Sequence, residues 1–214
     1  AANDCIFPHT LIKPLCAAVI EVLLGTQHKG AVENAAIGFG HICDQLVRAR
    51  NEYYPGIQLI DQFINQLMQY VFVSYAKLAT RRSAGLPFGF RAVLRAESQK
   101  TRSLQPSPIT DRVMRFLLAT ITDPDKARQD FSVQPLKDRK RCPREASIVH
   151  AFNIIRLLIQ DTLLSQILSE YIPSAFQLVM QAYKSVDWSI RNSATMTFSV
   201  ILHKYVVKGT SSTK

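Results

Sequence analysis

The sequence predicts an all-α protein built from repeated helices, and three observations carry that prediction. Apolar residues recur every three or four positions almost throughout the 214 residues, the spacing of one buried helix face. No stretch sustains the period-two alternation of a strand between glycine-rich turns. A helix-opening pattern also occurs twice, as AVENAA at 31–36 and SIRNSA at 189–194, each heading a long apolar helix. Repeats of that kind stack, each burying the flank of the next.

The elements follow in order. Leu11, Leu15, Val19, Val22 and Leu23 share one face of a first helix, with Pro14 tolerable only near its start. Gly30 opens a second helix carrying Val32, Ala36, Phe39, Ile42, Cys43 and Leu46, which fades after Arg48 and is broken at Pro55-Gly56. The stripe Ile60, Ile64, Leu67, Val71, Tyr75, Leu78 predicts a long third helix over 57–79. A short fourth covers 88–96, and a fifth covers 111–121, with Asp111 placed to cap it or to favour its N-terminus. Helices over 146–160, 172–183 (Pro173 in its first turn) and 188–206 complete the set. Asp187-Trp188-Ser189-Ile190-Arg191 has the Asp-x-x-Ile-Arg form of HEAT-type repeats. There the Asp caps its own helix and the Arg reaches an acidic group in the neighbouring repeat. Residues 1–214 read as a single repeat segment of a longer protein, interrupted by polar loops near 97–110 and 122–145.

Composition narrows the function. Hydrophobic residues make up 47% and charged residues 20%, enough apolar surface for an ordered core. No charge-free apolar run reaches the ~18 residues of a membrane span. Cys5, Cys16, Cys43 and Cys142 show no metal-ligand spacing and read as reduced, mostly buried thiols, which suits a cytosolic or nuclear compartment, and a cytoplasmic one is expected. The net charge is +10, and residues 81–144 hold 15 basic against 6 acidic side chains. That excess attracts polyanions and favours phosphate contacts. Lys137, Arg139, Lys140 and Arg141 are its densest run and the candidate RNA contacts.

Enzyme signatures are missing. There is no glycine-rich phosphate loop, GxGxxG or HExxH, and the histidines are dispersed. His150, heading an apolar helix, reads as a hydrogen-bonded structural residue. No catalytic residue, metal site or cofactor is assigned.

The most distinctive segment is Arg81-Arg82-Ser83-Ala84-Gly85-Leu86-Pro87. Gly85 is predicted to take a left-handed conformation that stops the preceding helix. Pro87 presets the first turn of the next helix, and Leu86 and Phe88 tuck into the core. Arg81-Arg82 is left over from this connector logic. Two guanidiniums at a hairpin tip suit a carboxylate or phosphate.

This string resembles the central block of the THADA family. So do Val149-His150-Ala151-Phe152-Asn153-Ile154-Ile155-Arg156, Trp188 to Ala194, Gly30-Ala31-Val32-Glu33 and Gly38-Phe39, in the same order. The resemblance implies a large armadillo/HEAT-like solenoid that is not itself an enzyme. It implies partnership with an FtsJ-type tRNA ribose 2′-O-methyltransferase acting on the anticodon stem-loop. S-adenosylmethionine would bind that partner, and Arg81 through Pro87 would matter for the joint activity. Relatives carry a Phe-Arg-Asp-x-Arg run where this chain has Ile159-Gln160-Asp161-Thr162-Leu163, so it lacks whatever charge contacts those arginines make. The alternative reading is a general protein–protein scaffold whose basic region binds an acidic protein.

Overall fold

The computed structural model describes residues 9–25, 28–48, 56–73, 85–101, 104–136 and 139–207. Ten α-helices run through the described residues: α1 (His9–Gly25), α2 (Lys29–Arg48), α3 (Gly56–Tyr70), α4 (Leu86–Thr101), α5 (Pro108–Thr122), α6 (Pro124–Asp130), α7 (Arg144–Gln160), α8 (Thr162–Ile167), α9 (Ile172–Ala182) and α10 (Trp188–Ile201). A 3₁₀ turn at Ser169–Tyr171 leads into α9, and α10 runs out into a π-helical turn at Leu202–Val207. The helices lie in two rows. In one, α2 packs on α4, α4 on α7 and α7 on α10; in the other, α1, α3, α5 and α9 each pair with their counterpart in the first. This is an all-α stack of helix pairs in chain order.

Each helix forms where apolar spacing and local caps agree. Ser107 accepts the backbone N–H of Thr110 and caps α5, with Pro108 in the first turn. Asp111 is therefore not the cap. It lies inside the first turn and accepts from the Tyr171 hydroxyl at 2.7 Å and from Arg115 at 2.9 Å. Asp123, Asp161 and Asp187 cap α6, α8 and α10 through their side-chain oxygens. Arg191 does not reach an acidic group: its guanidinium donates to the carbonyls of Ser185 and Val186, closing the turn before its own helix.

Several boundaries differ from expectation. The buried side of α1 is Ile20, Leu23 and Leu24, while Leu11, Leu15 and Val22 face outward. Pro14 lies inside α1 rather than at its start. Helix α4 extends beyond 88–96 in both directions, which shortens the loop predicted at 97–110. The loop predicted at 122–145 contains α6. Helix α3 ends at Tyr70, and Val73 instead forms an isolated antiparallel bridge with Arg141. Tyr75 and Leu78, predicted for the same helix, lie outside the described residues.

The core runs the length of the stack, from Phe39, Phe63 and Ile64 through Phe90, Leu94 and Phe116 to Phe152, Leu158 and Ala194. Helix α7 is buried nearly all round, as a helix in the middle of such a stack must be. By contrast, α1, α2, α9 and α10 expose Leu11, Val22, Ile37, Phe176, Met180, Trp188 and Met196. The apolar surface thus collects at the two ends, where a stack has an uncovered flank.

Gly85 works by close approach. No glycine among the described residues has a positive φ, so the left-handed expectation is wrong. A Cβ on Gly85 would lie 1.7 Å from the Leu23 carbonyl oxygen. Only a residue with no side chain lets α4 start against α1. Gly85→Ala is therefore expected to cost about 1–3 kcal/mol, the usual range for overpacking. A Cβ added to Gly38, within α2, would meet nothing within 4 Å, so Gly38→Ala should stabilise by about 0.5–1 kcal/mol. Urea unfolding of both variants checks the contrast; equal effects would refute it.

Candidate functional site

The site is built around Val71–Val73, the segment that leaves α3. Its backbone groups are satisfied by a distant part of the chain. The Cys142 N–H donates to the Phe72 carbonyl at 2.9 Å. His150, buried in α7, donates from Nδ1 to the Val71 carbonyl at 3.0 Å. Cys142 Sγ lies 3.6 Å from that same oxygen and 3.1 Å from Ser147 Oγ. Burial holds the Cys142 thiol above its ordinary pKa, so it is an inert packing group.

The loop between α6 and α7 is pinned to this segment and to α1. Val133 N–H donates to the Arg128 carbonyl at 2.9 Å, around Ser132 at φ 51°. That turn sends the chain back across α3. Arg139 then pairs with Glu21 of α1 at 2.9 Å. The Tyr70 hydroxyl donates to the other oxygen of the same carboxylate. Burial first, then the Glu21 carboxylate, push the Tyr70 pKa up to about 12. Arg141 pairs with Asp125, and Arg144 lies 3.2 Å from Asp123 and 3.6 Å from Asp125.

The predicted site residues separate accordingly. Arg81, Arg82, Ser83, Ala84 and Lys137 lie outside the described residues. Gly85, Leu86 and Pro87 are buried at the start of α4. Arg139 and Arg141 are in ion pairs, and Lys140 is exposed. The described residues that flank the first of these regions nevertheless lie beside the second. The segment holding Arg81-Arg82 leaves from Val73, which bridges to Arg141, and returns at Gly85, which sits against Leu23. Leu23 is on the same helix as Glu21, the partner of Arg139.

The basic middle third is less free than its charge suggests. Arg95, Arg112 and Arg115 also have carboxylate partners, Asp161, Asp61 and Asp111, at 2.7–2.9 Å. Arg91 stacks over the Phe88 ring. A small cleft remains between the end of α3, α6 and the loop. It is lined by Phe72, Val73, Val133 and Leu136 and by the cations Arg128, Arg139, Lys140 and Arg141. Arg128 belongs to the basic excess of 81–144, but Glu21, Tyr70 and Asp125 had no signal in the sequence, because their neighbours come from distant positions. Among the described residues no cluster of His, Cys, Asp or Glu could hold a metal ion. No helix of the described residues is long and apolar enough to cross a membrane.

Comparison with known proteins bears on the same segments. The family model described as THADA/TRM732, DUF2428, matches residues 1–189. The chain belongs to the THADA/TRM732 family. It is 31% identical over 183 residues to the mouse tRNA (32-2′-O)-methyltransferase regulator THADA, covering 84% of this chain and 8% of that protein. Against the human THADA protein the identity is 30%, with the same coverage. A fission-yeast relative, the tRNA (32-2′-O)-methyltransferase regulator trm732, is 22% identical over 178 residues, 83% of this chain and 11% of its own length. No solved structure matches. The chain thus spans about a tenth of these THADA/TRM732 relatives or less. The family match takes in every segment of the site described above.

Two outcomes follow for the clamp. Tyr70→Phe removes one donor to Glu21 and is expected to cost about 1 kcal/mol in urea unfolding at neutral pH; no change would show that the bond is not formed. Asp123 is held below its ordinary pKa of 3.8, chiefly by the Lys126 backbone N–H. A lowered folded-state pKa gives stability that is present above the ordinary value and lost as pH falls through the lowered one. Asp123→Asn keeps a capping acceptor but cannot titrate, so its loss of melting temperature below about pH 4 should be shallower than in the parent.

Proposed function

We propose that this chain is part of a non-catalytic subunit that binds a separate tRNA ribose 2′-O-methyltransferase of the FtsJ type and helps present the anticodon stem-loop to it. The observation that carries the reading is that Val73 and Gly85, which flank the Arg81-Arg82 segment in sequence, lie beside the elements that hold the basic loop. The names of the relatives, regulators of a tRNA methyltransferase, support it. A rigid stack of helices suits the task, since its framework can hold two binding loops in fixed relation. S-adenosylmethionine and the reacting groups would belong to the partner enzyme. The buried free thiols Cys43 and Cys142 accord with a cytoplasmic setting.

In this reading the guanidiniums of Arg81 and Arg82 contact the enzyme or the tRNA backbone. A charge-assisted contact is worth about 1.5–3 kcal/mol, so Arg81→Ala with Arg82→Ala should lower anticodon-loop methylation by two orders of magnitude or more. Helix content and melting temperature should hold, because the connector's packing rests on Gly85, Leu86 and Pro87. Methylation by the full-length protein with its partner enzyme, measured beside thermal unfolding, is the check. A large drop in melting temperature would instead assign the pair to an internal salt bridge. A full-length protein that captures neither tRNA nor a methyltransferase would support the scaffold reading.

A further inference from the structure

The cations of the basic loop divide into two kinds. Arg139 and Arg141 have carboxylate partners, Glu21 and Asp125, on other elements. Those pairs fasten the loop to α1 and α6. Arg128 and Lys140 line the same cleft and make no ion pair with a described residue. The clamp therefore holds two uncommitted cations at a fixed place.

The cleft itself has the chemistry of an anion site. Among the described residues no carboxylate lines it, and its walls are Phe72, Val73, Val133, Pro135 and Leu136 with the side-chain amides of Gln69 and Gln134. A guanidinium carries five N–H donors, and the Glu21 and Asp125 contacts leave most of those on Arg139 and Arg141 unused. The open cleft offers about 40 Å³, room for roughly three waters. That is room for the oxygens of a phosphate group. Low-dielectric walls around several like charges strengthen their field on an entering anion.

We propose that this cleft binds a backbone phosphate of an RNA strand, with Arg128 and Lys140 as its ligands and Arg139 and Arg141 as positioning residues. The inference rests on the RNA-presenting role proposed above and names the contact within it. RNA is favoured over an acidic protein because a strand supplies phosphates in series. The relatives' names, regulators of a tRNA methyltransferase, favour the same polymer. Arg128 comes from α6, outside the dense basic run of the sequence, and it changes which substitutions are informative.

The test uses the full-length protein with its methyltransferase partner, and the probe is an unmodified tRNA titrated at several salt concentrations. Arg128→Ser with Lys140→Ser should weaken binding tenfold or more near physiological salt. The slope of log affinity against log salt should fall by about 0.7–0.9 for each phosphate no longer neutralised. Melting temperature and co-purification of the enzyme should stay as in the parent. Arg128→Lys with Lys140→Arg should keep the parental slope, since charge is what the site supplies. Arg139→Ser should lower the melting temperature, as expected for a clamp. An unchanged slope in the double serine variant, with parental tRNA binding intact, would overturn the phosphate site and leave the RNA role standing. A parent complex that shows no salt-dependent tRNA binding, or that binds polyglutamate in its place, would overturn both.

Discussion

The structure depends on the capture of the chain just after α3. Helical periodicity in the sequence continues past Tyr70, yet the helix stops there. The carbonyls of Val71 and Phe72 are taken by His150 and Cys142, from a part of the chain about seventy residues away. A buried carbonyl must have a donor, and here α7 and the preceding loop supply it instead of the next helical turn. This one exchange ends α3, fixes the loop over it, and sets where the Arg81-Arg82 segment begins.

Around that point the fold is ordinary helix packing. Gly85 and Gly89 let α4 lie close to Leu23 and Leu67, so the connector returns to the stack near where it left. The polar residues of the interior are tied down in the same spirit. Thr197 donates to the Phe152 carbonyl between α10 and α7. Asp161, its side chain only 3% exposed, pairs with Arg95 while capping α8.

Charge distribution shows how one cluster can serve two purposes. Pairs exposed by about half, such as Arg139–Glu21 and Arg141–Asp125, each contribute at most about 1 kcal/mol. Their value is geometric, because they hold a loop without a core of its own across α1 and α6. The cations left outside those pairs, Arg128 and Lys140, line the cleft beside them. Net charge alone draws polyanions, but only a held arrangement gives them a place to bind.

By itself the sequence determined the all-α class, eight of the ten helices described, the helix-capping role of Asp187 and the buried, hydrogen-bonded character of His150. Those features rest on spacing and on side chains that act within a turn or two of themselves. The family, too, was legible in Arg81 through Pro87 and the strings that follow it. The tertiary structure decided the rest. It placed the end of α3 before the apolar stripe ran out, and it made Gly85 a point of contact rather than a left-handed turn. It also sorted the arginines into those with carboxylate partners and those without. Each of these is settled by groups far apart in the chain, Leu23 with Gly85, Glu21 with Arg139, Val71 with His150. Local pattern carries no information about which distant group arrives to satisfy a carbonyl, fill a space or neutralise a charge.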